Sequence, residues 1–288
     1  MADAAALPPL REVIRRHGLA ARRSLGQHFL LDLNLTGRIA RAAGDLSAGT
    51  VIEIGPGPGG LTRALLAEGA TKLVAVEIDP RCVEALAELR QAYPDRLEIR
   101  AADALAIDPA TLGPPPRRIV ANLPYNIATA LLTRWLPELA RFDRLVLMFQ
   151  KEVAERLTAQ PRSKDYGRLS VALQWRAAVK RLFDLPPRAF TPPPKVTSTV
   201  VEIRPFAEPR YPADAACLER VVAAAFGQRR KMLRQSLRAL QPDPLPILAA
   251  AGLPETARAE ELSVEQFAAL ARAYADRRGR LTAPRGAT

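Results

Sequence analysis

Asn122-Leu123-Pro124-Tyr125 is the stretch whose residue types bear most directly on chemistry. The Asn122 side-chain carbonyl can accept a hydrogen bond from an amine. Pro124 stiffens the loop, and the Leu123 carbonyl before it can accept a second. Tyr125 offers an aromatic face for a base, worth about 1–3 kcal/mol of stacking. An adenine amine is a poor nucleophile because its lone pair is delocalised into the ring. Two fixed acceptors on its hydrogens favour a pyramidal nitrogen with the lone pair exposed. In-line attack of that lone pair on an electrophilic methyl carbon needs neither a metal nor a strong base. Positioning can supply roughly 7–11 kcal/mol of it, and acceptor dipoles stabilise the charge that develops on nitrogen. The purely structural reading of the tetrapeptide is a proline turn, with Asn as a helix cap and Tyr as core filler.

Upstream, Glu53-Ile54-Gly55-Pro56-Gly57-Pro58-Gly59-Gly60 follows an apolar run and precedes a helical pattern. Glycines let a backbone turn tightly and approach a ligand closely, and a helix N-terminus offers free N–H groups. The spacing is ambiguous. Gly55, Gly57 and Gly60 satisfy the dinucleotide pattern G-x-G-x-x-G, whereas Gly55, Gly57 and Gly59 give the acidic-x-G-x-G-x-G form of S-adenosylmethionine enzymes. Glu77 suits ribose hydroxyls in either class. Asp103, which can accept from an adenine amine, and Asn122, for which a dehydrogenase has no use, favour S-adenosylmethionine.

These residues need elements to hold them. Val51–Ile54, Lys72–Ile78, Leu97–Arg100, Arg118–Ala121, Leu145–Phe149 and Thr199–Arg204 read as strands. Between the earlier ones lie helical patterns at Leu61–Glu68, Pro80–Tyr93 and Ile127–Leu139, with Pro80 in a first-turn position. Regular alternation predicts βαβ units on a mostly parallel α/β sheet, whose ligands sit at the carboxyl ends of the strands. Gly55, Glu77, Asp103 and Asn122 fall at successive strand ends. After Ala213 every periodic segment is helical.

The chain has 288 residues, enough for one large domain with an appendage or two modest ones. Its net charge of +12, from 42 basic and 30 acidic residues, favours a polyanion. RNA, DNA and an anionic membrane surface all satisfy that condition. No apolar run is long enough to span a bilayer, and residues 1–9 lack a secretory pattern, so a cytoplasmic location is expected. Cys82 and Cys217 read as reduced core thiols, and no metal site is expected.

The ordered motifs resemble those of the bacterial small-subunit ribosomal RNA adenine dimethyltransferases over about residues 20–275. They are Leu25-Gly26-Gln27-His28-Phe29-Leu30, the turn from Glu53 to Gly60, Val76-Glu77-Ile78-Asp79, Asp103-Ala104 and Asn122 to Ile127. Further on come Gln150 to Ala154, Tyr166 to Ser170, Phe190-x-Pro192-Pro193-Pro194-Lys195-Val196-x-Ser198 and Phe226-x-Gln228-Arg229-Arg230-Lys231.

The resemblance implies a Rossmann-like, seven-stranded class I methyltransferase sheet with a small all-α C-terminal domain. It implies dimethylation of two adjacent adenosines in the 3'-terminal hairpin of small-subunit ribosomal RNA, with S-adenosylmethionine as donor. By the same carry-over His28 and Leu30 line the cofactor cleft, Gly55 meets the methionine part, Glu77 the ribose and Asp103 the adenine. Asn122 touches cofactor and target amine, and Tyr125 and Phe190 sandwich the flipped base. The family usually has Asn where this chain has His28.

Arg229, Arg230, Lys231, Arg234 and Arg238 form an acid-free basic run, and spacing by four puts Arg230, Arg234 and Arg238 on one face of a helix. They are the expected RNA phosphate contacts. Arg15, Arg16, Arg22 and Arg23 form a second cluster. The expected organisation is a basic arm (1–24), a methyltransferase domain (25–207), an all-α RNA-contacting domain (208–278) and a disordered tail (279–288). The expected partner is small-subunit RNA within the immature 30S particle, bound by a monomer. Competing readings are a large-subunit RNA methyltransferase, a non-catalytic RNA-binding factor on the same fold, and a Rossmann oxidoreductase.

Overall fold

The computed structural model describes residues 7–22 and 25–282, with side chains to residue 278. The strands are β1 (Phe29–Leu30), β2 (Thr50–Ile54), β3 (Leu73–Glu77), β4 (Leu97–Ala101), β5 (Arg117–Ala121), β6 (Arg144–Gln150), β7 (Ala177–Leu185), β8 (Phe190–Thr191) and β9 (Ser198–Pro205). Seven of them make one sheet in the order β4-β3-β2-β5-β6-β9-β7. The β4-β3-β2-β5-β6 pairs are parallel, and β9 runs antiparallel to β6. The central strands β2 and β3 are buried along their whole length, as a strand covered on both faces must be. They read as nearly unbroken apolar runs for that reason.

Helices follow the strands with local caps. Pro80 opens Pro80–Ala92 behind Asp79, whose side chain accepts from the Arg81 N–H. Asp32 caps Leu33–Ala42 through the N–H groups of Asn34 and Leu35. The two short strands β1 and β8 pair antiparallel outside the sheet, Leu30 opposite Phe190.

The chain divides into two compact units, one running to Ala154 and resuming at Ala178–Pro205, the other comprising Glu155–Ala177 and everything from Phe206. Residues 155–177 thus belong with the C-terminal helices, although the sequence pattern places them in the sheet domain. The reason is packing. Tyr166, Val171 and Trp175 lie in one apolar cluster with Leu218, Val221, Phe267 and Leu270, and the Trp175 indole N–H donates to the Tyr211 carbonyl at 2.7 Å.

Of the seven strands in the sheet, β7 is the one that periodicity misses. It borders only β9 in the sheet order, and its run Ala-Ala-Val-Lys-Arg-Leu-Phe-Asp-Leu is mostly exposed or half-buried. Charged edge strands resist pairing with other chains but carry no buried-strand signature. The last helix, Val264–Thr282, runs through the start of the segment expected to be a tail. Residues 283–288 and Arg23 lie outside the described residues. Cys82 and Cys217 are buried and unpaired, and among the described residues no helix is long and apolar enough to cross a membrane.

Candidate active site

The glycine turn leaves β2 with Gly55, Gly57 and Gly59 at φ of +67°, +56° and +90°, values that favour glycine. A Cβ on Gly60, the first residue of the next helix, would lie 2.4 Å from the Leu30 carbonyl oxygen. The helix therefore closes directly onto the main chain of β1, and the turn is squeezed between them. Leu30 itself belongs to the hydrophobic core.

Three carboxyl groups line the resulting cavity of about 200 Å³. Glu77, at the end of β3, accepts from the N–H groups of Gly57 (3.0 Å), Ile78 (2.9 Å) and Asp79 (2.8 Å). Burial raises its pKa, and those backbone donors act against the rise. Glu53 is 1% exposed, and its Oε2 has no hydrogen-bond partner among the described residues. Burial pushes its pKa up to about 8, and the charge of Glu77 adds to the rise. The Thr62 hydroxyl acts against it without completing a well-formed hydrogen bond. Asp103 accepts from the Leu105 N–H at 2.8 Å through Oδ1, which leaves its other oxygen for the cavity. No Arg or Lys lines this cavity, although the chain carries +12 overall.

The Asn122 loop closes the other side. Asn122 Nδ2 donates to the His28 main-chain carbonyl at 3.0 Å, so its Oδ1 is turned away from that contact. Neither this Oδ1 nor the Leu123 carbonyl accepts a hydrogen bond among the described residues. The Leu123 side chain is buried. Pro124 precedes the helix Tyr125–Trp135 at φ −57°. The Tyr125 hydroxyl is hydrogen-bonded to the hydroxyl of Ser198. Its ring stacks on His28 with centroids 5.5 Å apart and planes at 30°. His28 Nδ1 lies 2.8 Å from the Pro192 carbonyl, and since a carbonyl only accepts, Nδ1 is the protonated nitrogen.

The segment carrying His28 is anchored from behind. Gln27 donates to Asp79 Oδ2 at 3.1 Å and accepts from the Arg22 N–H at 2.9 Å. The Arg81 guanidinium beside Asp79 holds that carboxyl down at about 2.

His28, Leu30, Gly55, Glu77, Asp103, Asn122, Leu123, Pro124 and Tyr125 all line this one cavity. Phe190 does not. It is 3% exposed within the hydrophobic core, opposite Leu30 in the β1–β8 ladder, so the expected Tyr125–Phe190 sandwich is not formed. The ring beside Tyr125 is His28. The sequence reading also passes over Ile78 and Leu105. Both line the cavity, and Ile78 is 51% exposed. An apolar residue directly after the strand-end acid is the signal that marked it.

The basic run differs from expectation as well. The helix Ala215–Gly227 stops before it, because Gln228 leaves helical geometry at φ −131°, and a short helix restarts at Leu233–Ser236. Arg230, Arg234 and Arg238 therefore share no continuous helical face. Arg229 donates to Glu260 at 3.0 Å and to the Ser163 carbonyl at 3.2 Å. Arg234 lies 3.9 Å from Glu255. Arg230, Lys231 and Arg238 are exposed and have no ion pair among the described residues.

A parallel sheet that reverses at β9, with its glycine turn and acids at the carboxyl strand ends, defines a class I methyltransferase. Residues 18–276 match the family model described as ribosomal RNA adenine dimethylase, and the chain belongs to that family. It is 66% identical over 273 residues to ribosomal RNA small subunit methyltransferase A of Paramagnetospirillum magneticum, covering 95% of this chain and 96% of the relative. The protein of the same name from Rhodospirillum rubrum is 65% identical over 93% of this chain and 92% of its own. A dimethyladenosine transferase structure from Plasmodium falciparum superposes with a TM-score of 0.74 at 25% identity, covering 84% of this chain and 96% of that one. The 23S rRNA methyltransferase ErmE gives 0.65 at 30% identity, covering 86% and 99%.

Proposed function

We propose that this enzyme dimethylates the exocyclic amines of two adjacent adenosines in the 3'-terminal hairpin of small-subunit ribosomal RNA, using S-adenosylmethionine. The observation that carries the reading is the pair of carbonyl acceptors, Asn122 Oδ1 and Leu123 O, neither of which accepts a hydrogen bond among the described residues, on residues that line one cavity together with Tyr125.

The cavity suits that cofactor. A buried Glu53 oxygen without a donor calls for a cationic or N–H partner, and an acid-lined cavity without Arg or Lys suits a sulfonium and an ammonium. A dinucleotide pyrophosphate would meet repulsion in the same place. Glu53 and the glycine turn would hold the methionine end, Glu77 the ribose, and Asp103 with Ile78 and Leu105 the adenine. Bound there, the cofactor supplies an electrophilic methyl carbon.

The protein's own part is positional. Asn122 and Leu123 accept the two amine hydrogens of the target adenine and draw its lone pair out of the ring. Tyr125 stacks on the base. The carbonyl dipoles then stabilise positive charge on nitrogen until a proton leaves. Extrusion of the base costs a few kcal/mol, least in a loop.

Arg230, Lys231, Arg234 and Arg238 serve as RNA phosphate contacts in this reading, with the helical unit as their scaffold. The substrate is the immature 30S particle in the cytoplasm, and the enzyme acts as a monomer. The names of the relatives at 65–66% identity favour the small subunit over the large one. Labelled methyl transfer to unmethylated 30S and 50S particles, with position-resolved readout of the RNA, tests this. Two neighbouring dimethyladenosines in 30S RNA are expected; label confined to 50S RNA would overturn the reading.

A further inference from the structure

We propose that Ser198 is a positioning residue for methyl transfer, fixing the plane of Tyr125 from the segment Pro192–Ser198. This rests on the base-stacking role given to Tyr125 above. Ser198 is fully buried at the start of β9 and opposite Gln150 of β6, so its main chain is fixed by the sheet. Its hydroxyl is bonded to the Tyr125 hydroxyl, which pins the far end of a ring whose near end is set by the first turn of Tyr125–Trp135.

The same segment controls the ring a second time. The Pro192 carbonyl holds His28 by Nδ1–H at 2.8 Å, and the imidazole backs one face of Tyr125. A purine between two rings needs them about 7 Å apart, two contact distances of ~3.5 Å. The observed 5.5 Å leaves no such gap, so the target base stacks on the opposite face of Tyr125. His28 is the backing plate and Ser198 the pin. A stacking ring free to rotate about its side-chain bonds would present the base amine to Asn122 and Leu123 only part of the time. A ring held at its hydroxyl and at one face presents it continuously.

The test is a double-mutant cycle on methyl transfer to unmethylated 30S particles with Ser198→Ala, Tyr125→Phe and the pair. Each single variant is expected to lower kcat roughly three- to tenfold, the worth of one neutral hydrogen bond, at a temperature well below its thermal midpoint and with the KM for S-adenosylmethionine unchanged. The double variant is expected to be no slower than the singles. Full kcat in Tyr125→Phe, or losses that multiply in the double variant, would overturn the role of Ser198. Tyr125→Phe deletes the bond without touching the buried serine, so it decides the matter even where Ser198→Ala folds poorly. A wild-type enzyme that methylates nothing would sink the methyltransferase reading itself.

Discussion

Asn122 and His28 are joined by a hydrogen bond from the Asn122 amide to the His28 main-chain carbonyl at 3.0 Å, and this bond decides which end of the amide faces the cleft. The two residues lie far apart in sequence and meet because the β1 segment folds back over the glycine turn. An Asn side chain without that partner could present either its donor or its acceptor. Tied to a carbonyl, it can present only the acceptor.

Asn122→Asp should therefore be far more damaging than its size implies. The carboxylate would face the His28 carbonyl with an oxygen where a donor is needed, and would swing out of register. Single-turnover methyl transfer is expected to fall by about 10²–10³-fold, comparable to the loss of one preorganised electrostatic contact. Turnover should suffer more than cofactor affinity in an equilibrium titration. Wild-type turnover in this variant would remove Asn122 from the chemistry.

Glu53 makes cofactor binding depend on pH. Its carboxyl, raised to about 8 by burial, is protonated in the free protein at neutral pH. A bound cation favours the carboxylate, so binding should expel a proton, and affinity should climb as pH rises towards 8 and level off beyond it. Calorimetric titration in buffers of different protonation enthalpy counts that proton; close to one is expected for the wild type at pH 7 and none from this group in Glu53→Gln. The free protein shows the opposite sign. A carboxyl whose folded value exceeds its ordinary 4.5 binds more protons when folded between the two values. Its stabilising effect is complete below the ordinary value and is lost as pH rises through the folded one, so the thermal midpoint should decline between about pH 5 and 8. That decline should flatten in Glu53→Gln.

How much of this was legible in the sequence depends on the range of the interaction concerned. Gly55, Glu77 and Asn122 could be placed because each ends a strand with a continuous buried run, and Asp103, after the edge strand β4 that is buried only at Leu97, because the strand–helix alternation carries through it. The charged edge strand β7 has no such run. The stacking role of Phe190 came from the family resemblance alone, and its pairing with Leu30 turns it into core. The His28–Tyr125 stack joins separate segments, and local spacing does not encode it. The helical face drawn through Arg230, Arg234 and Arg238 failed at Gln228, where the helix ends without a proline to announce it.

The glycine turn makes a stability claim. Gly60→Ala places a methyl 2.4 Å from the Leu30 carbonyl, a backbone atom held by the β1–β8 ladder. Something must shift, at a cost of about 1–3 kcal/mol, the usual range for overpacking. A lowered thermal midpoint together with weakened cofactor binding is expected, because the same displacement opens the cavity wall. A variant with wild-type values of both would show that the turn and β1 are not in fixed contact.

The basic residues of the second unit separate into two kinds, and salt dependence distinguishes them. Arg230, Lys231 and Arg238 are exposed without an ion pair among the described residues, so a phosphate costs them no existing partner. Replacing Arg230 and Arg238 by Ala should weaken RNA binding, and should reduce the slope of log K against log salt by about 0.7–0.9 for each phosphate no longer neutralised. Cofactor affinity and the thermal midpoint should stay put. Arg229 is already engaged by Glu260 and by the Ser163 carbonyl. Arg229→Ala should instead lower the thermal midpoint, because the partly buried guanidinium ties the loop at Ser163 to the segment at Glu260, while the salt slope changes little. A drop of a full unit of slope in Arg229→Ala, with stability intact, would move it into the phosphate-binding set and reverse the division drawn from its hydrogen bonds.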